Sequence, residues 1–228
     1  MDHSNAKKGI KTIYTSVVFA IIAALLGAGT SLLLEILSLI SETMNEFASS
    51  FFGVISLLFC FIISLIMLSI TSLLGCVGYY RASKDEDVFK KALICALAGG
   101  ALTFIGTIFQ VPNSTVYTIL TASGTIVEMF VMVFAVTGLI NICERFERQD
   151  LAAKGDKLLK ILVFLYIISA INAIIIRLFN LVMHTKIFAI ITGTLDLALS
   201  ITQYILFLKY LNQTGAMLDG TETGETVI

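Results

Sequence analysis

Apolar residues fall in six long blocks, at roughly 12–40, 51–79, 88–109, 115–143, 157–182 and 186–211, separated by short charged or polar clusters. At about 1.5 Å of rise per residue, each block wound as an α-helix spans the roughly 30 Å of a bilayer's hydrocarbon core. Several blocks are longer than a crossing needs, which predicts tilt or projection into water. The pattern predicts an all-α integral membrane bundle of six transmembrane helices. It forms a single domain over 1–217, followed by a disordered tail over 218–228.

Composition agrees: 57% of the 228 residues are hydrophobic and 14% are charged, far from the balance of a soluble domain. The lipid bilayer is therefore the first expected partner. Lys7, Lys8 and Lys11 precede an apolar run as in a signal peptide, but that run continues to about Ile40, too long for a cleaved leader. The net charge of -1, with bases spread over several connectors, argues against a nucleic-acid partner. Cys60, Cys76, Cys95 and Cys143 lie in or at the ends of apolar runs without C-x-x-C spacing, so they read as packing residues.

The connectors set a topology. Lys7, Lys8, Lys11, Arg81, Lys84, Lys90, Lys91, Arg145, Arg148, Lys154, Lys157, Lys160 and Lys209 all fall at one end of the predicted spans. Only Arg177 and Lys186 fall elsewhere. The positive-inside rule then places both termini in the cytoplasm of a multi-pass cell-membrane protein. The opposite connectors, Ser41–Ser50, Gln110–Ser114 with Pro112, and the residues around His184, are too short for an external domain. The inner connectors, Arg81–Asp87 and Glu144–Asp156, either are solvated loops that set topology or grip a protein partner through Arg81, Lys84, Arg145, Arg148 and Lys154.

The blocks also read as three helical hairpins in series, each entered through a lysine (Lys11, Lys91, Lys160). Each leaves through an aromatic beside a base: Tyr80-Arg81, Arg145-Phe146 and Lys209-Tyr210. Generic membrane-edge chemistry gives the same pattern without a repeat.

At helical spacing each block carries a stripe of small or polar residues. The stripes are Ala20, Ala24, Gly27, Ser31 and Glu35; Ser56, Cys60, Ser64, Thr71, Gly75 and Gly78; Cys95, Gly99, Thr103, Gly106 and Gln110; Thr121, Thr125 and Glu128; Arg177, Asn180 and His184; and Thr192, Asp196, Ser200 and Gln203. All six stripes can face one interior. Small residues and hydroxyls suit close helix packing. The charges need another reason, because a charge at mid-helix costs about 2.5–3.5 kcal/mol on insertion scales. Counted from the basic edge, Arg177 stands about 26 Å up, Glu128 about 23 Å and Asp196 about 20 Å, so the three can meet in one layer. Two acids and one base leave surplus negative charge, so one carboxyl is expected to be protonated or neutralised by a bound cation. The alternative is an ion pair that only holds helix register. Arg177, Glu128, Asp196, Asn180, Gln203 and Glu35 form the expected polar site.

Enzymatic machinery is not evident. Asp196 is the only aspartate within a predicted span, and His3 and His184 are predicted on opposite sides, which removes aspartyl-dyad, zincin and bis-histidine haem arrangements. No serine has a neighbouring base, and no phosphate-binding loop occurs. No cofactor is expected. Asn113-Ser114-Thr115 matches a glycosylation sequon, and the ending Glu225-Thr226-Val227-Ile228 has the spacing that strand-adding peptide-binding domains accept.

The stretch Leu74–Ala92, with Gly78-Tyr79-Tyr80 running into Lys84-Asp85-Glu86 and then Lys91-Ala92, and the later Ala152-x-x-Gly155, resembles a group of uncharacterised multi-span prokaryotic membrane proteins. Ser83 stands where the first loop of that group has glycine. The resemblance implies a prokaryotic inner-membrane setting and assigns no functional residue. Two functions are expected from the residues themselves. One is passage of a small solute or ion through the polar interior. The other is a non-transporting accessory, scaffold or sensory subunit. Either is compatible with a homo-oligomer or with a membrane or cytosolic protein partner.

Overall fold

A computed structural model describes residues 4–40, 51–108, 115–182 and 186–222. Within these helices some side chains, chiefly 31–40, 51–58, 115–122 and 176–182, fall outside the described set. The described chain forms six helices: α1 (Ser4–Ile40), α2 (Phe51–Ala82), α3 (Val88–Ile108), α4 (Thr115–Arg145), α5 (Gln149–Val182) and α6 (Lys186–Glu222). Among the described residues there is no strand. Among the described residues, four helices hold a stretch long and apolar enough to cross a membrane: Ser4–Gly27, Ile62–Ala82, Ser123–Arg145 and Ile190–Gly220.

Each helix packs on its neighbours in sequence, and α6 packs back on α1, so the bundle closes as a ring; α4 also touches α6. The α1–α2 and α3–α4 pairs make the most extensive contacts, as serial hairpins require. By contrast, α5 leans more on α4 than on α6, so the third hairpin is the loosest. Large apolar side chains cover the outside, Leu73 at 68% exposure and Phe59 at 64% among them, the surface expected of a face turned to lipid rather than water.

Gly27 of the first stripe and Ser64, Gly75 and Gly78 of the second lie at the contact between α1 and α2 rather than toward the ring's centre. A Cβ on Gly9 would stand 2.6 Å from the Ala82 nitrogen and 2.8 Å from the Gly78 oxygen, and one on Gly78 would stand 2.9 Å from the Ile13 nitrogen. Farther along, Gly27 abuts Ser64, and Ser16 Oγ donates to the Thr71 carbonyl at 2.8 Å. This is close helix approach through small residues. Gly99 likewise abuts Val127 of α4, and the Phe89 ring lies over Gly138. Among the described residues, the hydroxyls of Thr15, Ser69, Thr137, Thr194 and Thr202 bond the carbonyl four residues back in their own helix.

Helix boundaries differ from the sequence pattern at the charged end. The sixth block ends at 211 and a disordered tail is expected from 218, yet α6 continues to Glu222 with Thr214, Met217 and Leu218 buried. Leu211, Thr214 and Leu218 recur at helical spacing and are buried, Thr214 against Cys143 of α4, while Gly215 meets Ile10 of α1, so the last turns have a core to join. Charged inner connectors can continue as helix beyond the apolar run, and here helix takes up most of 144–156, leaving a turn between α4 and α5. There Glu147 adopts φ 58°, Glu147 N–H bonds the Glu144 carbonyl at 3.0 Å, and Arg148 N–H bonds the Cys143 carbonyl at 2.9 Å. Those two bonds make a Schellman C-cap, with glutamate in the left-handed position that glycine usually fills.

Candidate functional site

Two polar regions emerge. The first is a collar at the end where the bases gather. Asp85 caps α1 from the α2–α3 turn: its carboxylate accepts from Ala6 N–H at 2.6 Å and from Asn5 Nδ2 at 3.3 Å, satisfying a free first-turn amide with a negative charge. Glu86, 4% exposed, is ion-paired with Arg145 and accepts from Asn141 Nδ2 at 3.0 Å. Arg145 also donates to the Asp85 carbonyl at 3.1 Å. Asp219 of α6 binds Lys7 at 2.9 Å and Lys11 at 3.0 Å on α1. Beneath them Tyr210 donates to the Leu151 carbonyl at 3.3 Å, in contact with Cys143. A Cβ on Gly155 would strike Tyr210 and come 2.5 Å from Ile140, which is why this position holds glycine.

The collar changes the picture of the inner-loop bases. Arg145 is engaged inside the chain, Arg81 donates to Thr12 at 3.3 Å, and Lys84 lies 5.2 Å over the Tyr80 ring. Arg148 grips Asp150 through two bonds of 2.9 and 3.0 Å, and this grip holds the Asp150 carboxyl down at about 2. Lys154 is exposed.

The second region lies in the ring's interior, toward the middle of α4. Ile126 and Phe130 are 49% and 43% exposed and mark the outer face of α4. At about 100° per residue, Glu128 points about 180° away from their mean direction. Glu128 therefore faces the ring's interior. It is an exposed residue by accessible surface.

Groups from three other helices meet it there. Tyr204 of α6 hydrogen-bonds the Glu128 carboxylate, and Asp196 of α6, Tyr166 of α5 and Tyr79 of α2 lie within electrostatic reach. On α6, Ile191, Leu195 and Ile205 face outward, and Asp196, Ser200, Gln203 and Tyr204 lie within about 60° of the opposite direction. On α5, Tyr166 and Ser169 point about 140–160° away from the outward row of Ile161, Phe164, Ile167, Ile171 and Ile175. Ser169 Oγ donates to Asp196 Oδ1 at 2.8 Å, and Asn172 Nδ2 donates to the Thr192 carbonyl at 3.2 Å. Gln203 is 4% exposed, and its Nε2 has no partner among the described residues.

Of the expected site, then, Glu128 and Asp196 lie within electrostatic reach of each other, and Gln203 is buried on the same side of α6 as Asp196. Arg177, Asn180 and Glu35 have side chains outside the described residues, as do the sequon and the terminal Glu225–Ile228. The residues that sequence reasoning missed are the tyrosines and Ser169. Tyr79 reads from sequence as an edge anchor but is 7% exposed inside the bundle, while Tyr166 and Tyr204 sit mid-run. A phenol inside an apolar block is the signal that could have found them, since a buried tyrosine hydroxyl needs a partner. Among the described residues no group of three or more His, Cys, Asp or Glu side chains could hold a metal ion. Comparison with protein-family models, curated proteins and solved structures finds no match.

Proposed function

We propose that this chain is a multi-pass membrane protein, crossing six times with both termini cytoplasmic, that passes a small solute or ion through its ring interior. The observation that carries this reading is Glu128: it faces inward from an apolar helix, retains accessible surface, and has a second carboxylate, Asp196, close by. Packing alone gives no reason for an acid there, since a small or aliphatic residue would pack without the cost of a charge. The gathering of the bases at the collar end supports the orientation.

The experiment is reconstitution of the full chain into vesicles, with flux measured for a panel of alkali cations, protons and small metabolites. Asp196→Asn is expected to abolish flux while leaving monodisperse helical protein; flux unchanged by this substitution removes the role. The rival reading, an accessory subunit gripping a partner through its inner connectors, draws less support because Arg81, Arg145 and Arg148 are already engaged within the chain.

A further inference from the structure

The bases at the collar end fall into two groups. Lys7, Lys11, Arg145 and Arg148 are paired with acids of the same chain. Lys90 and Lys91 of α3 and Lys157 and Lys160 of α5 are exposed, and among the described residues none of these four forms an ion pair. Nor does α3 itself call for its pair: both stand in the first turn, where the helix dipole disfavours a positive charge. Their place is beside the apolar outer surface. At about 100° per residue, Lys90 lies within about 30° of the outward row Ile94, Leu97 and Ile105, and Lys157 and Lys160 lie within about 40° of the outward row of α5. Both helices begin at the collar, and helical side chains slope toward the N-terminus, so these stems lie along apolar surface and lift their ammonium groups toward water.

A groove separates the two lysine pairs. The contacts of α4 with α3, at Val127 and Gly138, and with α5, at Ile140, point only about 150° apart across the outer face, so α4 sits inward of both neighbours. Its outward direction, marked by Ile126 and Phe130, runs toward the collar through Val133 and Thr137, which are half-buried. The register sets the lysines at one depth. Phe89 covers Gly138, Lys91 Nζ lies 5.9 Å over the Phe134 ring, and Gly155 meets Ile140, so both pairs flank the turn of α4 that holds Val133 and Thr137. Asp87 and Asp156 precede the pairs on the water side. We propose that this groove holds an anionic phospholipid, its headgroup between the lysines of α3 and α5 and its acyl chains along Val133, Phe130 and Ile126. Unpaired cations above an outward apolar groove match a molecule with a negative head on a hydrocarbon tail. This assignment rests on the membrane reading above, though not on passage.

The test mixes the full chain, purified in a neutral detergent, with phosphatidylglycerol or phosphatidylcholine and counts retained lipids by native mass spectrometry. Phosphatidylglycerol is expected to bind about tenfold or more tightly than phosphatidylcholine, since one base near an anionic surface contributes about fivefold. Lys90→Gln with Lys157→Gln and Lys160→Gln should remove that preference. Lys8→Gln with Lys154→Gln should keep it, because these exposed bases lie on α1 and beside Asp150. An amine-acylating reagent reads the same groove in the unaltered protein, even if the triple variant does not fold. Phosphatidylglycerol should protect Lys90, Lys91, Lys157 and Lys160 and leave Lys8 and Lys154 reactive. Equal binding of the two lipids, loss of preference on substituting Lys8 and Lys154, or uniform protection of all six lysines overturns the assignment. Protection by inorganic phosphate alone overturns the lipid as occupant. A chain released from cell membranes by alkaline carbonate sinks the membrane reading as well, whereas a chain that stays in the membrane without lipid preference leaves that reading standing.

Discussion

Glu86 and Glu128 are both glutamates enclosed by helices, but their surroundings differ. Glu86, in the turn before α3, is 4% exposed and has a guanidinium and an amide on its two oxygens. Glu128, inside the ring, keeps accessible surface and has a phenol, with a second acid nearby. Glu86 fastens three parts of the chain, because its partners come from the end of α4 and its turn also caps α1. Glu128 fastens little for the charge it carries. An acid whose every oxygen is matched by a donor or a base is there to hold the fold, whereas Glu128 carries the passage reading proposed above.

The two regions are therefore expected to respond differently to substitution. The largest effect is expected where the collar is built on backbone contact. Gly9→Val would push branched carbons into the Ala82 nitrogen and the Gly78 carbonyl, and overpacking against backbone should cost about 3 kcal/mol, read as a lowered Tm in circular-dichroism melts in detergent. A Tm close to wild type would mean that α1 and α2 can separate without loss.

Next, the two acids can be compared directly. Arg145→Ala leaves Glu86 buried without its charge partner. Stripping one member from a buried pair costs several kcal/mol, and because the Arg145 side chain is 49% exposed the expected loss is nearer about 2 kcal/mol. Glu128→Gln in the same melts should shift stability by no more than about 0.5 kcal/mol, or raise it, as substitutions at functional positions often do. Equal losses at both sites would erase the distinction between them.

The smallest effect concerns Asp150, which belongs to the collar only through an exposed grip. Arg148 holds this carboxyl at about 2, below its ordinary value of 3.8. A depressed carboxyl adds stability that is fully present above about pH 4 and is lost as pH falls through about 2. Arg148→Ala should return the Asp150 titration toward its ordinary value in a carbon-detected NMR titration. It should leave neutral-pH stability almost untouched, since the pair is solvent-screened.

The helices themselves were legible because block length and hydropathy are properties of single segments. Glu128, Asp196 and Gln203 could be found for the same reason: a charge or amide inside an apolar block stands out against its neighbours. Glu86 could not. It sits in Lys84-Asp85-Glu86-Asp87, where every residue looks solvated, and its partners Asn141 and Arg145 are far along the chain. The end of α6 was missed because Asn212, Gln213 and Thr214 read as a polar tail, although Leu211, Met217 and Leu218 on the same turns are buried. The inward phenols were hidden because tyrosine at a membrane edge and tyrosine at a polar site look alike until the helices are placed together.

The contact between α1 and α6 also bears on biogenesis. The helix that closes the ring is made after the other five, and the lysines that clasp it, Lys7 and Lys11, are made near the start. Until α6 is made, α1 has only α2 to lean on, so closure of the ring follows the docking of α6. On the membrane reading proposed above, a chain lacking α6 is an open arc that presents the bilayer with a seam rather than a leak.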